Sequence, residues 1–177
     1  MNQYHKIART SRCYVVLLTI LLVLVPVAHG AVWLFFEHLP ADWLRPRSYA
    51  IVGGVSPLTR VLGFAVSMIK GIVVMYGLWV LIRLFKLYQK GIFFQAENVR
   101  CFKHLSRTLV LWAFAGVLVT PLLSVVLTMN NPPGQRVVEV TLQSADLTAL
   151  VVGGMLAVIA AVMEDGERLQ TEVDLTV

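Results

Sequence analysis

One charged residue lies deep inside an apolar stretch of this chain: Lys70, within the run Leu62 to Ile82. An ammonium at such a position is costly to strip of water, so it marks a binding site, an ion path or a partner of opposite charge. On a helix Lys70 shares a stripe with Gly63, Ser67 and Gly77, which points it toward other helices rather than outward. Asp146 and Glu139, near the outer end of the last apolar run, are the candidate counter-charges. The alternative is a side chain that snorkels along a small-residue packing face. Both readings stand, because counted along the chain no second ionisable group falls at the depth of Lys70.

Other groups promise less chemistry. Cys101 and His104 share a helix face at i, i+3, but two ligands without further partners make a poor metal site, so no metal is expected. Cys13 falls at a membrane edge and Cys101 in a reducing compartment, which argues against a disulfide. Gly53-Gly54 and Gly153-Gly154 lack the spacing of a phosphate loop. With no nucleophile beside a base and no paired carboxylates, the expectation is a protein without catalytic residues or cofactor. A membrane-embedded enzyme is kept only as a contrast.

These residues are carried by four apolar runs: Tyr14 to Phe36, Leu62 to Ile82, Leu109 to Met129 and Ala145 to Met163. Each approaches the ~20 residues that a helix needs to cross a ~30 Å hydrocarbon layer. With 58% hydrophobic and 14% charged residues, the composition is far from that of a soluble domain. The expected fold is all-α, a single four-helix membrane domain over the whole chain. Residues 83–108 form its inner loop and 164–177 its tail.

Charge orients the bundle. Lys6, Arg9, Arg12, Arg83, Lys86, Lys90, Arg100, Lys103, Arg107 and Arg168 lie on one side, against Arg45, Arg47, Arg60 and Arg136 on the other. Positive residues collect on the cytoplasmic side, so both termini and the middle loop are expected there. The first run also loosely fits a cleavable signal ending at Ala28-His29-Gly30. Against that, apolar character continues through Phe36, and Trp33 stands where an interfacial aromatic belongs.

Outside the membrane, Arg136 to Gln143 alternates, with Val138, Val140 and Leu142 against Glu139, Thr141 and Gln143. That is the period of a strand with one covered face. Paired with Ser48 to Val52 it would make a small two-stranded β cap. In the last run Ala145, Ala149, Gly153, Ala157 and Ala161 recur every four residues, a seam that lets another helix approach closely. Packing within one subunit is the simpler reading and a homodimer the alternative. Pro121 removes the donor expected by the Val117 carbonyl, so a kink is expected in the third run.

The inner side carries opposed charges. From Glu97 a basic face of Arg100, Lys103 and Arg107 lies opposite Val99, Phe102, Ser106 and Leu109, an amphipathic helix suited to anionic headgroups. The tail carries Glu164, Asp165, Glu167, Glu172 and Asp174 against Arg168. Val162, Gly166, Leu169 and Val173 keep helical spacing, so the last helix is expected to project beyond the membrane and dock on the basic loop.

Two of these segments resemble a known family. The stretch Lys90-Gly91-Ile92-Phe93-Phe94-Gln95-Ala96-Glu97-Asn98-Val99-Arg100 is similar to the inner-loop signature of the DUF2975 family of bacterial membrane proteins. Gly166-Glu167-Arg168-Leu169-Gln170-Thr171-Glu172-Val173-Asp174-Leu175-Thr176-Val177 resembles that family's closing motif. Gln95 stands where the family usually has Ser or Thr, so a weaker helix cap is expected there. Because members are often encoded beside small helix-turn-helix regulators, the resemblance implies the membrane component of a regulatory pair, with no direct nucleic-acid binding of its own. The expected docking surface is Gly91, Phe94, Glu97, Asn98, Arg100, Lys103, Arg107, Gly166, Leu169, Glu172, Asp174 and Leu175. A small-molecule exporter or immunity-type protein using the Lys70 face is the alternative. Coupled transport is disfavoured by the lack of charged residues in the first and third runs.

Overall fold

The structure, a computed structural model, describes residues 2–38, 51–52, 54–93 and 95–174, with side chains from 7 to 168 within those ranges. Four long helices account for most of it: α1 (Asn2–Leu34), α2 (Pro57–Gln89), α3 (Ala96–Thr128) and α4 (Ser144–Asp174). All four carry windows long and apolar enough to cross a membrane. α1 packs on α2, α2 on α3, and α3 on α4. The surface they expose is aliphatic around much of each helix, as lipid requires.

Local chemistry sets the ends of the helices. α2 starts at Ser56, whose Oγ accepts the Thr59 N–H at 3.2 Å, with Pro57 in the first helical position. It stops at Gly91, whose φ of 71° is open to glycine; Gly91 N donates to the Tyr88 carbonyl and Ile92 N to the Leu87 carbonyl. Gln95 then caps α3 without a side-chain hydrogen bond, in line with its departure from the family pattern. The expected long inner loop is thus a turn of residues 90–95. The rest of residues 83–108 belongs to α2 and α3, which extend past the apolar runs.

At the opposite end, α1 is locked to α2 by Trp33. Its ring lies over Gly63, where an added Cβ would stand 2.0 Å from it, and its Nε1 donates to Ser67 Oγ at 3.0 Å. Trp33 is 7% exposed and clusters with Phe36 and Leu127, so it is a wedge between helices rather than the interfacial anchor expected from its position. Beyond it, Arg60 pairs with Glu37.

The β cap is corrected. Among the described residues there is no strand; Ser48–Ala50 lie outside them. Residues 137–143 run extended, but against α3, and they descend along it. Val137 N donates to Thr128 Oγ1 at 3.3 Å, Glu139 N donates to Ser124 Oγ at 2.9 Å, and the segment enters α4 beside Gly116. The alternation is read inside out at its upper end: Val138, Val140 and Leu142 are exposed, as the apolar face is against lipid, while Val137 and Glu139 are half-buried and Thr141 and Gln143 exposed. Non-helical backbone at such depth needs protein partners, since an unsatisfied group in hydrocarbon costs several kcal/mol, and the Ser124 and Thr128 hydroxyls provide them. Both residues are fully buried.

The seam of α4 follows the helix rather than a strict four-residue step. Asp146, Ala149, Gly153 and Ala160 are buried, while Ala145, Ala157 and Ala161 are exposed. A Cβ on Gly153 would lie 3.2 Å from the Ser106 carbonyl oxygen. Gly153→Leu is therefore expected to destabilise the solubilised protein by about 1–3 kcal/mol through overpacking, read as a lower thermal midpoint. Ala157→Leu on the open face should leave the midpoint within error.

Candidate functional site

The descent of residues 137–143 decides what Lys70 meets. Gly116 lies twelve residues before Thr128, so α4 begins ~18 Å below the adjoining end of α3. Lys70 lies ~20 Å below the start of α2, which is the same level. Asp146 is thereby carried to the depth of Lys70. Lys70 Nζ donates to Asp146 Oδ1 at 3.0 Å. The linear count that left Lys70 without an ionisable neighbour is thus overturned.

Each atom of the pair is held. Asp146 is in the first turn of α4, where a carboxylate suits the positive end of the helix dipole, and its Oδ2 accepts the Gln143 N–H at 3.3 Å. Gly116 makes room for it, since a Cβ there would stand 2.5 Å from Oδ1. The Lys70 ammonium also sits 3.9 Å from the centre of the Trp112 ring, a cation–π contact. Asp146 is 1% exposed and the Lys70 side chain 19%. Glu139, the other candidate counter-charge, turns to Thr141, whose hydroxyl donates to Oε1 at 2.9 Å.

Directly below the pair, toward the basic end, a groove of about 550 Å³ opens between α2 and α4 with α3 as its floor. Val73, Gly77 and Leu81 line one wall, Ala149 and Val152 the other, and Leu105 and Trp112 the floor. At the basic end Leu84, Phe102 and Leu156 line it, the last two packed against the core cluster that includes Val80 and Leu84.

The basic end holds the second group of candidate residues. Lys103 Nζ donates to both oxygens of Glu164, at 2.7 and 2.8 Å, joining α3 to the acidic start of the tail. Arg100, Arg107, Glu97, Gly91 and Gly166 are exposed. Asn98 is fully buried and structural instead: its Nδ2 donates to the Ile92 carbonyl at 3.0 Å and holds the turn. Phe94, Leu175 and the side chains of Leu169, Glu172 and Asp174 lie outside the described residues. Cys101 and His104 diverge, Cys101 into the core and His104 to the Tyr76 hydroxyl at 2.9 Å.

Trp112, Gly116, Ser124 and Thr128 were not singled out from sequence. A signal existed: Gly116, Thr120, Ser124 and Thr128 form a small and polar stripe at four-residue steps inside an apolar run.

Comparison with curated proteins and with solved structures returned no match. The family profile described as "Protein of unknown function (DUF2975)" matches residues 11–177, nearly the whole chain, including the Lys70–Asp146 pair, the turn at Gly91 and the acidic tail. The chain, with four helices long and apolar enough to cross a membrane, is a member of the DUF2975 family.

Proposed function

We propose that this protein is a non-enzymatic, regulatory membrane component that acts through the basic end of its bundle, placed in the cytoplasm of a bacterial inner membrane. The observation that carries the reading is the Lys103–Glu164 pair. It joins α3 just past the first family motif to α4 just before the second, two stretches far apart in sequence. At 39% and 55% exposure such a pair is worth only ~0–1 kcal/mol, so salt, anionic headgroups or a protein partner can open it. Between Gly153 and Glu164, α4 also exposes Met155, Val158 and Val162, an apolar strip that ends at the Lys103–Glu164 pair. Such a strip suits an amphipathic helix of a small regulator.

A crosslinked pull-down from native membranes tests this. The full chain should retain a partner that a chain lacking residues 164–177 loses. Lys103→Glu should weaken capture and Lys103→Glu/Glu164→Lys restore it. Capture indifferent to all three changes would end the reading. Sidedness is tested separately: a reporter after Val177 should register as cytoplasmic and one within Asn130 to Gly134 as external.

The intramembrane pair favours a second reading. A helix that begins at mid-depth and presents a carboxylate to a lysine is an arrangement that carriers use. Efflux that is lost in Lys70→Met, while pull-down persists, would select the exporter.

A further inference from the structure

On the side of α2 and α3 turned away from α4, the basic end of the bundle carries a patch built in three rows. Leu84 and Cys101 share one core cluster, so their exposed neighbours Arg83 and Arg100 stand at one level. Two turns deeper a Cβ on Gly77 would lie 3.3 Å from Thr108 Cγ2, which puts the exposed neighbours Tyr76 and Arg107 at a second level, ~10 Å from the first. Trp79 and His104 form the row between. The Tyr76 hydroxyl meets His104 Nδ1 at 2.9 Å, and the Tyr76 and Trp79 rings stack with centres 5.9 Å apart. The α2 stripe of Tyr76, Trp79 and Arg83 and the α3 stripe of Arg100, His104 and Arg107 therefore face the same way.

Neither α1 nor α4 covers this face. α4 lies across the groove lined by Gly77, Leu81 and Leu105, and α1 meets α2 at Gly63 and Phe85, about half a turn around the helix from the Tyr76 stripe. Among the described residues no carboxylate pairs with Arg83, Arg100 or Arg107, and Glu97 stands a turn beyond Arg100. Lys103, grouped with Arg100 and Arg107 on the basic face of the sequence, is drawn instead to Glu164 of α4. α2 supplies Arg83 and two aromatic rings in its place.

Unbalanced positive charge calls for an anion, and the surroundings say which. Tyr76 and Trp79 are exposed aromatics of the type that sits at headgroup level. Just above them both stripes turn apolar and stay exposed, through Ile72 and Ile69 on α2 and Leu111 and Phe114 on α3. A soluble phosphate or an acidic peptide would leave that continuation unused, whereas acyl chains lie along it. Cα–Cβ bonds tilt toward the N-terminus of their helix, so in this antiparallel pair those of Arg83 and Arg107 tilt toward the middle row from opposite sides. A phosphodiester set there also selects the His104 tautomer whose Nδ1 accepts the Tyr76 proton, since Nε2 then has a proton to give it.

We propose that this face binds one anionic phospholipid, its phosphodiester between Arg83, Arg100 and Arg107 and its acyl chains against Ile72 and Leu111. The site goes beyond the regulatory reading and uses neither Lys103 nor Glu164, so its test and the pull-down fail separately.

Native mass spectrometry of the full-length protein in detergent tests it, with phosphatidylglycerol and phosphatidylcholine of the same chains. One phosphatidylglycerol should be retained, with about tenfold preference over phosphatidylcholine. Arg83→Ala and Arg107→Ala should each weaken it about fivefold, while their binding of phosphatidylcholine stays at the parent level. Arg9→Ala and Arg12→Ala, exposed basic residues on α1, should leave both lipids unaffected. Glycerol 3-phosphate, the head without the chains, should not displace the lipid. Equal retention of the two lipids, equal losses in the α1 and patch variants, or displacement by glycerol 3-phosphate would overturn the proposal.

Discussion

Asp146→Ala is expected to cost the solubilised protein about 3 kcal/mol or more, the scale of breaking a buried ion pair by removing one member. The variant strands the Lys70 ammonium against Trp112 and takes away the carboxylate that receives the Gln143 N–H at the head of α4. Two losses therefore fall on one residue. Lys70→Met is expected to hurt as well, because Asp146 remains 1% exposed with, among the described residues, the Gln143 N–H left to satisfy it. The double variant Lys70→Met/Asp146→Ala removes both charges, and should be more stable than Asp146→Ala alone. Thermal unfolding of the four proteins in one detergent closes the cycle. Strictly additive losses would show that the pair is not a coupled unit.

Gly63→Ala carries the second large effect. Its Cβ would occupy the space of the Trp33 ring, so the ring has to leave its seat and the Nε1 bond to Ser67. Loss of a buried Trp contact costs about 3–5 kcal/mol, and the variant should approach that range. With Trp33→Ala as background, the same glycine change should cost well under 1 kcal/mol. Tryptophan emission gives an independent readout, since an evicted indole meets lipid or water. An unchanged midpoint and spectrum in Gly63→Ala would mean that Trp33 is not wedged there.

The fold was legible because length and apolarity are local properties, and four runs of the required length are visible without any contact information. The site was only half legible. Lys70 announced itself by type, but its partner depends on where Ser144 sits along the membrane normal. Nothing in the apolar count of the fourth run says that the chain first descends beside Ser124 and Thr128. The alternation of residues 136–143 was visible, yet alternation does not say which face is covered. In water the valines would be inside; against lipid they face out. The seam showed the same limit, since a four-residue step drifts off a 3.6-residue helix, so that Ala160 is buried where Ala157 and Ala161 are not.

A helix that starts halfway down a membrane has to end well beyond it. From Ser144, ~18 Å below the end of α3, α4 continues for ~46 Å, so its last turns stand far outside a ~30 Å layer. Near its upper end Asp146 ties it to Lys70 of α2 while the carboxylate sits against Gly116 of α3. About that pivot α4 is a lever with a ~42 Å arm to Asp174, and a tilt of about 5° at the pair displaces the far tip by ~4 Å. The same tilt moves Gly153, ~10 Å from the pair, by ~1 Å, and Glu164, ~27 Å from it, by more than twice as much, enough to lengthen its bonds to Lys103.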